Sequence, residues 1–128
     1  MSISKLTELL PENVKFFPDA EADFLSLDKS RQIKVVKALQ KIAAAPDQFG
    51  KPLENQKGRP LAGLRSIYVD KKSLRIIWQV AESGKIEIAV VAGIAERNGL
   101  FAYELAARRR LDVNEFVKRL LDQLSKSR

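Results

Sequence analysis

Apolar and polar positions alternate along this chain in two different rhythms. Val14, Phe16 and Phe17 are strand formers in a short run that Pro18 ends. Pro18 can itself open a helix, with Asp19, Glu21 and Asp23 in its acidic start and Phe24, Leu25 and Leu27 on its apolar side. Asp28 or Ser30 can cap a second helix. There Ile33, Val36, Leu39 and Ala43, with Val35 and Ile42, keep helical spacing, while Lys34, Lys37, Gln40 and Lys41 lie mostly off that stripe. This helix is expected to end near Ala45, before Pro46, so the two form an αα-hairpin.

Residues 46–60 hold three prolines and two glycines and read as a long loop, the kind that often carries function. Strands are expected at Leu64 to Val69, Leu74 to Val80 and Lys85 to Ala92, with Ser83-Gly84 at a hairpin turn. The last of these is apolar on both faces, which suits a central strand covered on one side by the helix pair. An irregular stretch from Gly93 then precedes a helix from about Leu100 to Arg110. A final amphipathic helix follows, with Asp112 as its cap and Val113, Phe116, Val117, Leu120, Leu121 and Leu124 on one face. That face suits either the domain's own core or a dimer or partner surface. The order β-α-α-β-β-β-α plus a terminal helix predicts an α+β fold: an N-terminal strand and helical hairpin packed on one face of a mostly antiparallel four-stranded sheet, plus C-terminal helices. Residues 1–13 read as an N-terminal arm, 14–110 as the domain, and 111–128 as the C-terminal amphipathic helix.

Composition narrows the chemistry. The 128 residues carry a net charge of +7, and neither cysteine nor histidine occurs. Thiolate chemistry, disulfides and zinc sites of the usual kind are thereby excluded, as is the usual proton carrier near neutral pH. No cofactor and no metal is expected. No stretch approaches a signal peptide or a membrane span, so the cytoplasm is the expected compartment and no membrane partner is expected. The charge is uneven: residues 1–28 hold two lysines against six acids, whereas 51–75 hold seven basic residues against two acids. Arg65 and Arg75 sit one on each arm of a hairpin whose turn is Asp70-Lys71-Lys72-Ser73. Charged residues inside strands need a partner or a task, and a positive ribbon suits a polyanion.

Three phrases, Leu61-Ala62-Gly63-Leu64-Arg65, Leu74-Arg75-Ile76-Ile77-Trp78 and the stretch from Gly93 through Arg97, Tyr103 and Ala106 or Ala107 to Arg109 or Arg110, stand in an order and spacing that resembles the RelE/ParE superfamily of type II toxins over about residues 14 to 110. The resemblance implies a RelE-like fold and a toxin neutralised by a cognate antitoxin. Such a toxin either cuts messenger RNA, commonly on the ribosome, or inhibits DNA gyrase without cutting. Where the family often has a basic residue two positions before Arg97, this chain has Ala95, and Leu74 replaces a common aromatic.

For cleavage of RNA by its own 2′-hydroxyl, arginine suits stabilisation of the phosphorane, being always charged and shaped for phosphate. Arg75, Arg65 and Arg97 are the expected clamp, with Tyr103 stacking on a base or orienting the attacking group. Lys57, Arg59, Lys71 and Lys72 are expected nucleic-acid contacts, and a lysine or Glu96 would serve as base. Each has a structural alternative: Arg65 paired to an acid, Tyr103 in the core, Lys71 and Lys72 in a solvated turn. Trp78 reads as core. If Lys71-Lys72 forms a two-residue turn, Tyr68 faces Arg75 and Arg65 turns to the other side of the sheet; a slip by one residue puts both arginines together. The expected partners are therefore an antitoxin, with messenger RNA and the ribosome, or DNA gyrase in the alternative. A homodimer or a hetero-oligomer with the antitoxin is also compatible, as is an inactive homologue that only binds nucleic acid or antitoxin.

Overall fold

A computed structural model describes residues 8–55, 58–84, 86–96 and 101–126. The elements are β1 (Val14–Phe16), α1 (Pro18–Leu25), α2 (Lys29–Ala44), β2 (Lys51–Pro52), β3 (Leu64–Val69), β4 (Leu74–Ser83), β5 (Ile86–Glu96) and α3 (Phe101–Lys126). The α+β class and the helical hairpin follow the sequence. Pro18 occupies the first turn of α1, and the Asp28 side chain caps α2 by accepting from the Arg31 backbone N–H at 2.9 Å. Gln32, buried between the two helices, donates to the Phe24 carbonyl at 3.1 Å and fixes their angle.

The sheet has five strands rather than four, in the order β1-β5-β4-β3-β2. The extra strand comes from the expected loop: Lys51 and Pro52 pair antiparallel with Ser66 and Arg65. Two residues of edge pairing leave no periodic signal, and proline belongs at an edge because it lacks a donor. The β2-β3-β4-β5 ladder is antiparallel, and β1 joins β5 in parallel.

A second correction concerns the faces. By register, Leu74, Ile76 and Trp78 point to one side of β4, where the core also contains Phe24, Val35, Leu39 and Ile42 of the helical hairpin. Ile77 points to the other side and packs with Leu61, Leu64, Ala95, Ala102 and Ala106. Helices therefore cover both faces, which explains why β4 and β5 are apolar on both sides.

The third correction is that α3 is one helix of 26 residues, not two. Nothing between Arg110 and Val113 breaks a helix; Asp112 is tolerated mid-helix on an exposed position. Its apolar stripe docks at home: Val113 and Val117 are buried, and Phe116, Leu120, Leu121 and Leu124 pack against the core. Likewise β5 runs through to Glu96, so Gly93 to Glu96 are strand rather than irregular. A register shift opposite Ile77 and Trp78 places Ala92 as an extra residue on β5.

Candidate functional site

The β3–β4 hairpin decides which side chains can meet. Its register pairs Tyr68 with Arg75 and Arg65 with Trp78. The turn closes on a backbone hydrogen bond from Ser73 N–H to the Asp70 carbonyl, 3.0 Å, with Lys71 and Lys72 both left-handed at φ 55° and 68°. That is the primed turn matching the twist of a two-residue hairpin. Tyr68 and Arg75 consequently share one face, and Arg65 occupies the other.

Arg75 is the centre of the first face. Only 8% of it is exposed, yet among the described residues it forms no ion pair. Its guanidinium lies between two aromatic rings, 4.3 Å from the Tyr68 centroid and 4.2 Å from the Tyr103 centroid, and it donates to the Tyr68 hydroxyl. The quadrupoles of two ring faces hold a cation that burial would otherwise penalise, each by roughly 1–2 kcal/mol when desolvated. The positive charge is thus fixed and dehydrated, and among the described residues no carboxylate pairs with it. Tyr68 stays 40% exposed beside it, so the stack opens to solvent on the Tyr68 side. Tyr103 comes from the first turns of α3, which Ala102 and Ala106 seat against the sheet.

Arg65 takes a different position. Its Nε donates to the Phe49 carbonyl at 2.8 Å, and Nη2 to those of Gln48 and Gly50 at 3.2 Å each. Next to it the Trp78 indole, fully buried as expected, donates to the Pro46 carbonyl at 3.0 Å. Together they pin the 46–50 loop across the sheet, and they do so on the face away from Arg75. Arg59 meets Glu104 of α3 at 3.0 Å. Lys71 and Lys72 are exposed at the turn. Glu96, on the Leu74 side of β5, pairs with Arg31 at 3.0 Å rather than approaching Arg75. Arg97 and Lys57 lie outside the described residues.

Sequence reasoning set Tyr68 opposite Arg75 for a two-residue turn without giving it a role, and it passed over Arg31. Tyr68 gains its place from strand parity across the turn, a signal available once the turn length is known. Arg31 has no such signal: it leaves α2 to bind Asp70, Ser73 and Glu96 at once. Lys34, Arg31 and Ser73 converge on the Asp70 carboxylate and hold it well below the usual carboxylate range. A neighbouring cleft lined by Asp23, Asp28, Arg31, Glu96, Phe101 and Arg109 carries charges that are largely satisfied internally, Arg31 with Glu96 and Arg109 with Asp23. Among the described residues no group of acids could hold a metal ion.

No family model matches the sequence, nor does any curated protein. Solved structures do match in shape. A free-state arginine-to-alanine double mutant of Escherichia coli toxin RelE superposes with a TM-score of 0.58 at 18% identity, over 75% of this chain and 94% of that one. The YoeB/ParE toxin from Agrobacterium tumefaciens gives 0.55 at 15% identity over 67% and 99%. A chain of the RelBE2 toxin–antitoxin complex from Mycobacterium tuberculosis gives 0.53 at 24% identity over 69% and 93%. The fold is that of these toxins, as the sequence motifs led us to expect.

Proposed function

We propose that this chain, built on the RelE-type toxin fold, is the toxin of a toxin–antitoxin pair and cleaves messenger RNA in the cytoplasm, on the ribosome, until a cognate antitoxin neutralises it. The observation that carries this reading is the buried guanidinium of Arg75 between Tyr68 and Tyr103, which forms no ion pair among the described residues. A dehydrated cation on a rigid strand stabilises charge that develops on a phosphorane far better than a solvated one, because it needs no reorganisation when the charge appears. The guanidinium fork suits two phosphate oxygens, and the aromatic rings fix its plane. Tyr68 accepts a hydrogen bond from this guanidinium and stays 40% exposed beside it. Its partly exposed ring offers a surface on which a base can stack. Arg97 and Lys57 belong to this proposal as further cations, and Arg59 joins them by exchanging Glu104 for phosphate.

RNA cleavage with and without ribosomes tests it, comparing wild type with Arg75→Ala and Arg75→Lys. We expect the alanine variant to lose about 100-fold or more in rate, the scale of removing one preorganised transition-state donor. The lysine variant should recover little, since an ammonium lacks the fork. Equal cleavage by wild type and Arg75→Ala would remove Arg75 from the mechanism.

One observation favours a second reading, inhibition of DNA gyrase without cleavage. Arg65 is engaged by three loop carbonyls on the opposite face, so it does not join Arg75 in a clamp. Inhibited supercoiling with intact message would decide for it.

A further inference from the structure

Beyond the Tyr68–Arg75 face, the geometry points to a second polyanion surface on the other side of the sheet, formed by the outer face of α2 and the Lys71-Lys72 turn, whose partner is the phosphodiester backbone of a nucleic acid. Residues 29–44 contain five of the chain's cations, Lys29, Arg31, Lys34, Lys37 and Lys41, and none of its 16 acids. The helix buries Val35, Val36, Leu39 and Ile42 against the sheet, which turns Lys34, Lys37 and Lys41 outward over about 10 Å of helix axis. An ordinary solvated helix face mixes both signs, because acids four residues from lysines stabilise it. This one forgoes every such pair.

The turn extends the stripe. Asp70 sits between Arg31 at 3.0 Å and Lys34 at 2.5 Å, fastening the tip of the β3–β4 hairpin to the first turns of α2. Asp70, Lys71 and Lys72 are all left-handed, at φ 53°, 55° and 68°, with no glycine among them. Such backbone persists only where surroundings impose it. Here the imposition comes from the Asp70 cluster, and its result is two lysines displayed at a rigid tip. Lys37, Lys41, Lys71 and Lys72 enter none of the ion pairs among the described residues, while the nearby acids Asp70 and Glu96 are already neutralised by Arg31 and Lys34. Four cations on one strip, outside every ion pair of the described residues, match a polyanion of regular charge spacing. The strip lies across the sheet from Arg75, so it binds whether or not Arg75 cleaves.

Binding of a labelled oligouridine to the full chain, followed by fluorescence anisotropy as a function of salt, tests the inference. Lys37→Ala/Lys41→Ala and Lys71→Ala/Lys72→Ala should each lower the slope of log affinity against log salt by about 1.4, two contacts at about 0.7 each. Lys118→Ala/Arg119→Ala, which removes the same charge from the exposed side of α3, should leave the slope within experimental error. Equal effects from all three pairs would reduce the strip to a contribution to net charge and overturn it. Displacement of the oligouridine by poly-glutamate as readily as by unlabelled oligouridine would assign the strip to acidic protein and also overturn it. Arg75→Ala separates the two proposals: loss of cleavage with the salt slope intact supports both, whereas unchanged cleavage defeats the catalytic reading and leaves this one standing.

Discussion

At the scale of single residues, burial and chemistry part company in instructive ways. Arg75 and Arg65 are alike in the sequence, one per strand, and differ in everything the fold gives them. The first is held by rings, the second by carbonyls. The second arrangement depends on Gly50. Its φ is +73°, and a Cβ there would lie 2.6 Å from the Trp78 ring, 2.7 Å from an Ile67 methyl and 2.7 Å from the Ser66 carbonyl. Gly50→Ala should therefore destabilise by about 3 kcal/mol, combining left-handed backbone cost with overpacking, as read from denaturant midpoints. Loss of more than that would show that the loop detaches and frees Arg65. No change would mean that the loop is not pressed against Trp78. Trp78 was legible as core from its aliphatic neighbours; that it also anchors the loop through its indole N–H was not, because Pro46 is 32 residues away in sequence.

At the scale of elements, the β3–β4 turn shows how local strain and tertiary contacts trade. Replacing Lys71-Lys72 by Asn-Gly should stabilise the fold by about 1 kcal/mol, because both new residues accept left-handed backbone more readily. Differential scanning calorimetry reads the rise. The Asp70 carboxylate has its affinity for protons lowered by Lys34, Arg31 and Ser73, so the native state favours its charged form. Its stabilising contribution is complete above the ordinary value of 3.8 and is lost progressively as the pH falls below it. Asp70→Asn should lower stability at neutral pH and remove that share of the acid dependence. Urea midpoints for both proteins from neutral pH downward check this, and parallel curves would refute it. The existence of the hairpin was legible from two β-branched and aromatic runs about a polar turn. Which way its arginines face was not, since one residue of turn length inverts the answer.

The whole molecule is closed by contacts between parts distant in sequence. Past its pairing with β1, the edge of β5 exposes the Ile94 N–H and the Ala92 carbonyl. Asp23 of α1 accepts from the first at 3.1 Å, and Arg109 of α3 donates to the second at 3.1 Å. Arg109 and Asp23 then meet at 2.7 Å, their side chains 14% and 18% exposed. The pair substitutes for a missing strand and joins α1, β5 and α3. Removing one partner leaves the other charge poorly solvated, so Arg109→Ala should cost about 3 kcal/mol. A double-mutant cycle with Asp23→Ala should return a coupling energy of about 1–3 kcal/mol. Additive effects would show that the two act separately. The sequence showed Asp23 only as an acid in a helix's first turn and Arg109 as one of three consecutive arginines, which hides their partnership.

What the chain determined by itself is periodic or local: the two N-terminal helices and their cap at Asp28, four of the five strands, the core role of Trp78, the α+β class and the family motifs that anticipated the fold. These follow from alternation, spacing and backbone preference within a dozen residues. The tertiary structure alone decided the rest. It paired Lys51 and Pro52 as a fifth strand, carried α3 unbroken across the second face, sent Arg65 to the loop, and set Arg75 between two tyrosines separated by 35 positions. Each of these depends on register or on contacts between segments far apart in sequence, where the energy of a pairing resides in the partner and leaves no mark on the residues nearby.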